Sequence, residues 1–192
     1  MNFRTLLISF LGALVISGSA SAAVLVSSTG SPANVVTDYS TPSLVSFDLD
    51  LENFSSTRLN FVIEEGDLLG PLSLNALVRN LSGMGIDHFT FALQGVTFAA
   101  AGSVTPAFGT VAGVGFTSNL ATIDFRTPEF AEFQFGNPFG TVGKSDWVLN
   151  TANLRAGDQF SITASVPEPS TITLMLAMLI AGSLALKRRD DR

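Results

Sequence analysis

The chain has 192 residues, with 16 acidic side chains against 10 basic ones, one His and no Cys. This composition excludes disulfides, thiolate metal sites, thiol nucleophiles and a lipidated cysteine, and leaves little with which to build a histidine metal site. The acidic balance repels phosphate backbones, so no nucleic-acid partner is expected, and an apolar share of 46 % excludes disorder for most of the chain.

The first element is an address. Arg4 precedes an apolar run at 6–16 and then the small-residue stretch at 17–22, the three parts of a secretory signal peptide. The run is short of the roughly 20 residues that a bilayer crossing takes. Ala20 and Ala22 offer the small side chains that a signal peptidase accepts, so cleavage is predicted between Ala22 and Ala23, removing residues 1–22. An uncleaved N-terminal anchor is the competing reading.

The body, 23–166, lacks any stretch with sustained helical periodicity and is rich in short alternating runs bounded by Gly, Pro, Asn and Asp. Strands are predicted at 24–28, 47–52, 59–63, 72–80, 89–93, 96–100, 121–125, 133–135, 147–149 and 160–163. Eight to ten strands at spacings near a dozen residues predict an all-β domain, an antiparallel two-sheet β-sandwich of jelly-roll or immunoglobulin-like kind. Over 68–81 the leucines Leu68, Leu69, Leu72, Leu77 and Leu81 are also compatible with a short helix. The uncharged, Gly-rich 95–115 reads as strands buried on both faces or as a fold-back at the sandwich edge. It makes no phosphate loop, because no Lys occurs before Lys144 and no strand-to-helix switch follows.

Few residues in the body carry chemistry. Asp48, Asp50 and Glu52 alternate with Phe47, Leu49 and Leu51 and so share one strand face, about 7 Å apart; Glu64-Glu65-Gly66-Asp67 forms an acidic turn. Either group has the oxygen ligands for Ca²⁺, and paired carboxylates at such spacings serve glycoside hydrolysis. The plainer reading is a set of solvated edges that keeps sheets from associating, and the ligand-dense calcium loop with its turning glycine is missing. Arg58 and Arg79 are the nearest cations that a fold could bring to the strip. His88 beside Asp87 is the sole histidine base, and no Ser stands in a nucleophile elbow. Asn80-Leu81-Ser82 is a formal glycosylation sequon and by itself a weak signal. Sixteen Phe against one Tyr (Tyr39) and one Trp (Trp147) mark a core rather than a sugar-stacking platform; Trp147, before a predicted strand, reads as a packing residue, with a ligand platform as the alternative.

The C-terminus is a second address. Residues 171–186 are uncharged and are followed by Lys187, Arg188 and Arg189. A short transmembrane helix with the basic cluster on the cytoplasmic side is predicted, which leaves the body outside; a buried core helix is the competing reading. Between body and helix, Pro167 and Pro169 hold Glu168 extended and exposed.

Pro-Glu-Pro, then an uncharged stretch, then a basic cluster at 187–189 resembles the PEP-CTERM sorting signal of Gram-negative bacteria. The resemblance implies that exosortase, a membrane-embedded cysteine protease-transpeptidase, recognises Pro167, Glu168 and Pro169 and processes the protein during export to the exopolysaccharide matrix. It further implies that 171–186 is the retention helix and Lys187, Arg188 and Arg189 the stop-transfer cluster. Asp190 and Asp191 depart from the usual Arg-rich tail, and no aromatic follows Ser170. A plain proline linker before an ordinary anchor is the bland alternative.

The sequence thus predicts three segments: a signal peptide at 1–22, a secreted β-domain at 23–166 and a sorting signal at 167–192. The expected function is that of an exported, exosortase-processed surface or biofilm-matrix protein with no catalysis and no cofactor of its own. Its expected partners are signal peptidase, exosortase and the membrane, with exopolysaccharide as a candidate ligand. A polysaccharide-binding module using loops near Trp147 and the acidic strip is the alternative, and a secreted glycan hydrolase the remote one.

Overall fold

A computed structural model describes residues 22–167. The expected signal peptide up to Ser21, Glu168 and Pro169 of the expected sorting motif, the expected helix at 171–186 and the basic cluster at 187–189 lie outside the described residues.

The strands, in order, are β1 (Val24–Gly30), β2 (Val35–Asp38), β3 (Leu44–Leu51), β4 (Thr57–Val62), β5 (Leu72–Asn80), β6 (Ile86–Gln94), β7 (Thr97–Ala100), β8 (Val104–Pro106), β9 (Thr110–Phe116), β10 (Leu120–Glu129), β11 (Glu132–Phe135), β12 (Trp147–Asn150) and β13 (Gln159–Ser165). A 3₁₀ turn, Glu65–Leu68, precedes β5. Each predicted strand is present. Residues 72–80 form a strand, not a helix, and β2, β8 and β9 are additional.

The strands make two sheets. The first runs β1-β4-β13-β6-β10-β9, antiparallel throughout. The second runs β2-β3-β5-β11-β8, with β12 continuing past β11 along the same edge of β5 and β7 beside β12. One pair corrects the all-antiparallel expectation: β3 and β5 are parallel over eight residue pairs, Leu44 opposite Ser73 through Leu51 opposite Asn80. The chain leaves β3, crosses to the first sheet as β4, and returns through the 3₁₀ turn to lie beside β3 in the same direction. Side-chain alternation has the same period in either direction, so it carries no information on strand polarity.

β3 illustrates the half-buried pattern, with Val45, Phe47, Leu49 and Leu51 inward and the polar positions outward. β5 is different. Its inward Leu72, Leu74, Ala76 and Val78 are buried, and so are Asn75 and Leu77 on the other face. Near-continuous burial erases the alternation that marks a strand, which is why its leucines also fit a helix.

Between the sheets Phe rings interlock across the interface. Phe47 on the second sheet meets Phe61 and Phe91 on the first at 6.3 and 6.0 Å between ring centroids. Phe89 meets Phe133 at 5.0 Å and Phe91 meets Phe135 at 4.7 Å, both edge to face. These tilted geometries suit the ring quadrupole and add to the area term of burial. Residues 95–115 supply β7 and β8 at one margin of the second sheet and β9 at the margin of the first. This is the fold-back at the edge; β9 is largely exposed and β8 half-buried, rather than buried on both faces.

Candidate functional site

The acidic strip comes apart into a charge pair and a loop residue. Asp48 and Asp50 lie on β3, whereas Glu52 falls beyond its end and is exposed. Parallel pairing sets Arg79 of β5 opposite Asp50, and its guanidinium serves both carboxylates. Nη2 donates to Asp48 Oδ2 at 2.7 Å, and Nε lies 2.8 Å from Asp50 Oδ1. Arg58, the other candidate cation, instead hydrogen-bonds Gln94 within the first sheet. Burial pushes the Asp48 carboxyl above its usual range, Arg79 pulls it down, and Asp50 pushes it up again, leaving it raised. The cation that this strip needs is therefore carried by the chain, and a guanidinium wedged between two carboxylates opposes entry of Ca²⁺.

The acidic turn is absorbed into structure. Asp67 is fully buried; its Oδ2 accepts from Glu64 N at 2.9 Å and its Oδ1 from Ser43 N at 3.3 Å. The first bond belongs to a capping box. The second holds the turn before β3, where Ser43 has φ of 66°, a conformation that non-glycine residues adopt only when held. Among the described residues no cluster of three or more His, Asp or Glu could hold a metal ion.

His88 pairs with Asp124 rather than with Asp87. Register places the two opposite each other on β6 and β10, and Nδ1 of His88 contacts Asp124 Oδ1 on the outer face. Trp147 is not a platform. It is fully buried, stacked on Phe135 at 4.4 Å and 9° and edge-on to Phe98 and Phe116. Gly102 is required beside it, because a Cβ there would stand 2.5 Å from Trp147 N. Trp147 therefore has no ring face free to stack on a sugar.

Two features escaped the sequence reading. Glu129 is fully buried without a cationic partner. Its Oε2 accepts from Phe108 N and Gly109 N at 2.9 and 2.8 Å, and its Oε1 accepts from Ala131 N at 2.8 Å. Burial raises its pKa, but the backbone donors of Gly109, Ala131, Phe108 and Glu132 outweigh that and hold the carboxyl below its usual range. Asn80 adds to the knot, donating from Nδ2 to Glu129 O at 3.0 Å and Met84 O at 2.6 Å. A sequon asparagine so used is closed to modification in the folded protein. Nothing local in Thr127-Pro128-Glu129-Phe130 marks the glutamate as buried.

The second is a cleft of about 410 Å³ lined by Leu93, Val96, Ser118, Asn119, Asn150 and Asn153, among others. It is formed by the β6–β7 and β9–β10 turns and the loop after β12. Its apolar floor and uncharged amides suit a neutral, hydroxyl-rich ligand.

At the chain's exit, β13 pairs with β4 and β6, and its last residue, Ser165, lies opposite Thr90. Val166 packs on the core and Pro167 is exposed. The family model of the PEP-CTERM protein-sorting motif matches residues 165–189. The chain carries a PEP-CTERM sorting signal. The signal implies processing by exosortase, and with it export and membrane-associated processing. The match begins on the last residue of β13, so no spacer domain separates sandwich from PEP-CTERM motif. No curated protein and no solved structure matches the chain. Among the described residues no helix is long and apolar enough to cross a membrane.

Proposed function

We propose that the β-sandwich is a non-catalytic module of the cell surface or exopolysaccharide matrix, held at the membrane by 171–186 until exosortase acts on Pro167, Glu168 and Pro169. The observation that carries this reading is the position of the sorting motif at 165–189, directly after the final strand. Glu168 is the sole charge between Asp158 and Lys187, and it stands between two prolines, which disfavour helix there. Replacing all three motif residues with Ala is expected to leave full-length protein in the inner membrane, as is deletion of the exosortase. Unchanged release by the triple variant would reduce the motif to a linker.

A hydrolytic role receives no support from the carboxylates, because Asp48 and Asp50 are both claimed by Arg79 and neither stands free as acid or base. A second reading, binding of exopolymer, is favoured by the cleft. Its turns lie at the opposite end of the sandwich from the C-terminus of β13, so a body tethered at residue 167 would present the cleft outward. Asn119 Oδ1 and Asn150 Oδ1 are already engaged with Thr117 Oγ1 and Ala152 N, leaving amide donors to meet sugar hydroxyls. Binding of purified exopolymer should weaken on Asn153→Ala and Asn119→Ala; equal binding by wild type and variants would discard this reading.

A further inference from the structure

The loops at the chain's exit end expose apolar side chains in a group. Leu81 and Met84 stand on the β5–β6 loop, Phe108 between β8 and β9, and Phe130 between β10 and β11, with exposures of 50, 54, 80 and 58 %. Their positions are held. The buried Glu129 carboxylate binds the backbone of the Phe108 loop and of Ala131, Asn80 ties Met84 O to Glu129 O, and the Phe130 ring lies on Gly85, where a Cβ would come within 2.8 Å of it. A buried anion and a buried amide thus brace three loops whose tips present hydrocarbon to water.

Topology brings this end to the point where the apolar C-terminal segment begins. Ser165 lies opposite Thr90, four residues short of Ile86 at the end of β6, so β6 runs about 13 Å past Ser165 at about 3.3 Å per residue. Six residue steps lead from Ser165 to Thr171, a reach of at most about 21 Å when fully extended. The first residue of the uncharged segment can therefore stand only about 8 Å beyond the sandwich's end, the depth of a headgroup layer.

We propose that this end is a membrane-contact face: Leu81, Met84, Phe108 and Phe130 enter the headgroup region of the bilayer that holds 171–186. The proposal rests on the reading of 171–186 as the anchor. The ligand is lipid of zwitterionic headgroup: Asp87, Glu132 and Glu52 at this end are acidic, Arg79 opposite Glu132 is already paired with Asp48 and Asp50, and the exposed Arg126 leaves a negative balance that repels an anionic surface. The contact would hold the sandwich upright, with Pro167-Glu168-Pro169 at the interface.

The test uses the absence of Cys. Single cysteines are placed in the full chain as Met84→Cys, Leu69→Cys at the opposite end, where Leu69 is 88 % exposed, and Ala177→Cys within the apolar segment. Each carries an environment-sensitive fluorophore, in phosphatidylcholine vesicles with and without doxyl-labelled lipid. The expected result is loss of most of the emission at positions 84 and 177 and none at 69, with quenching at 84 relieved by Phe108→Ser and Phe130→Ser while 177 is unchanged. No quenching at 177 would remove the anchor reading and this proposal together. Quenching at 177 without quenching at 84, including the case where 84 is shielded only in native membranes that contain protein partners, would overturn this proposal alone. Equal quenching at 84 and 69 would also overturn it.

Discussion

Asp48 and Glu129 are both carboxylates in second-thought positions of a sandwich that has few cations, yet the fold treats them in opposite ways. Asp48 faces outward on a central strand, shares Arg79 with Asp50, and has its pKa raised by burial against an attraction too small to cancel it. Glu129 is more deeply buried and has no cation, yet its pKa is lowered, because backbone N–H groups of two loops converge on it. A fixed cradle of peptide dipoles thus stabilises a buried anion better than one guanidinium divided between two carboxylates. The difference also separates roles: the strip neutralises a surface, whereas Glu129 holds together the loops at the end where the sorting signal leaves.

Glu129→Ala tests this contrast with the largest expected effect. It strands three backbone donors in a dry site, each costing about 1–3 kcal/mol when unsatisfied, so a loss of roughly 3 kcal/mol or more is expected in urea denaturation of the 23–166 fragment. A loss below about 1 kcal/mol would mean that the loops hold without their anion. Arg79→Met should cost less, about 1–2 kcal/mol, by leaving Asp48 and Asp50 to repel each other on half-exposed positions. Adding Asp48→Asn to it should recover most of that loss, and a double variant no better than the single one would show that the guanidinium acts through packing alone.

Acid should separate the two carboxylates by sign. Glu129 has a lowered folded-state pKa, so its stabilisation is present above the unfolded value and is lost as pH falls through the folded one. Asp48 has a raised folded-state pKa, so its contribution is present below the unfolded value and is lost as pH rises through the folded one. Between about pH 5 and pH 3, Glu129→Gln should flatten the acid-side fall of the urea midpoint, and Asp48→Asn should steepen it. The same slope for both variants would dissolve the contrast. The smallest effect is expected from calcium: millimolar Ca²⁺ should shift the melting temperature no more than NaCl of equal ionic strength, with Asp50→Asn unable to change that. A saturable, Asp50-dependent shift would show that Arg79 yields its place to a metal.

Residue order alone identified the C-terminal sorting signal, because the motif, the uncharged stretch and the basic cluster are contiguous and need no partner to be read. It also determined the all-β class and placed strands such as β3 and β4, whose alternation reports one dry face and one wetter one. Only the tertiary structure decided the rest. The parallel β3–β5 pair, the meeting of Arg79 with Asp48 and Asp50, and the burial of Glu129 all depend on which strand lies beside which. Those pairings are long-range, and alternation has the same period whether the neighbour is parallel, antiparallel or in the other sheet.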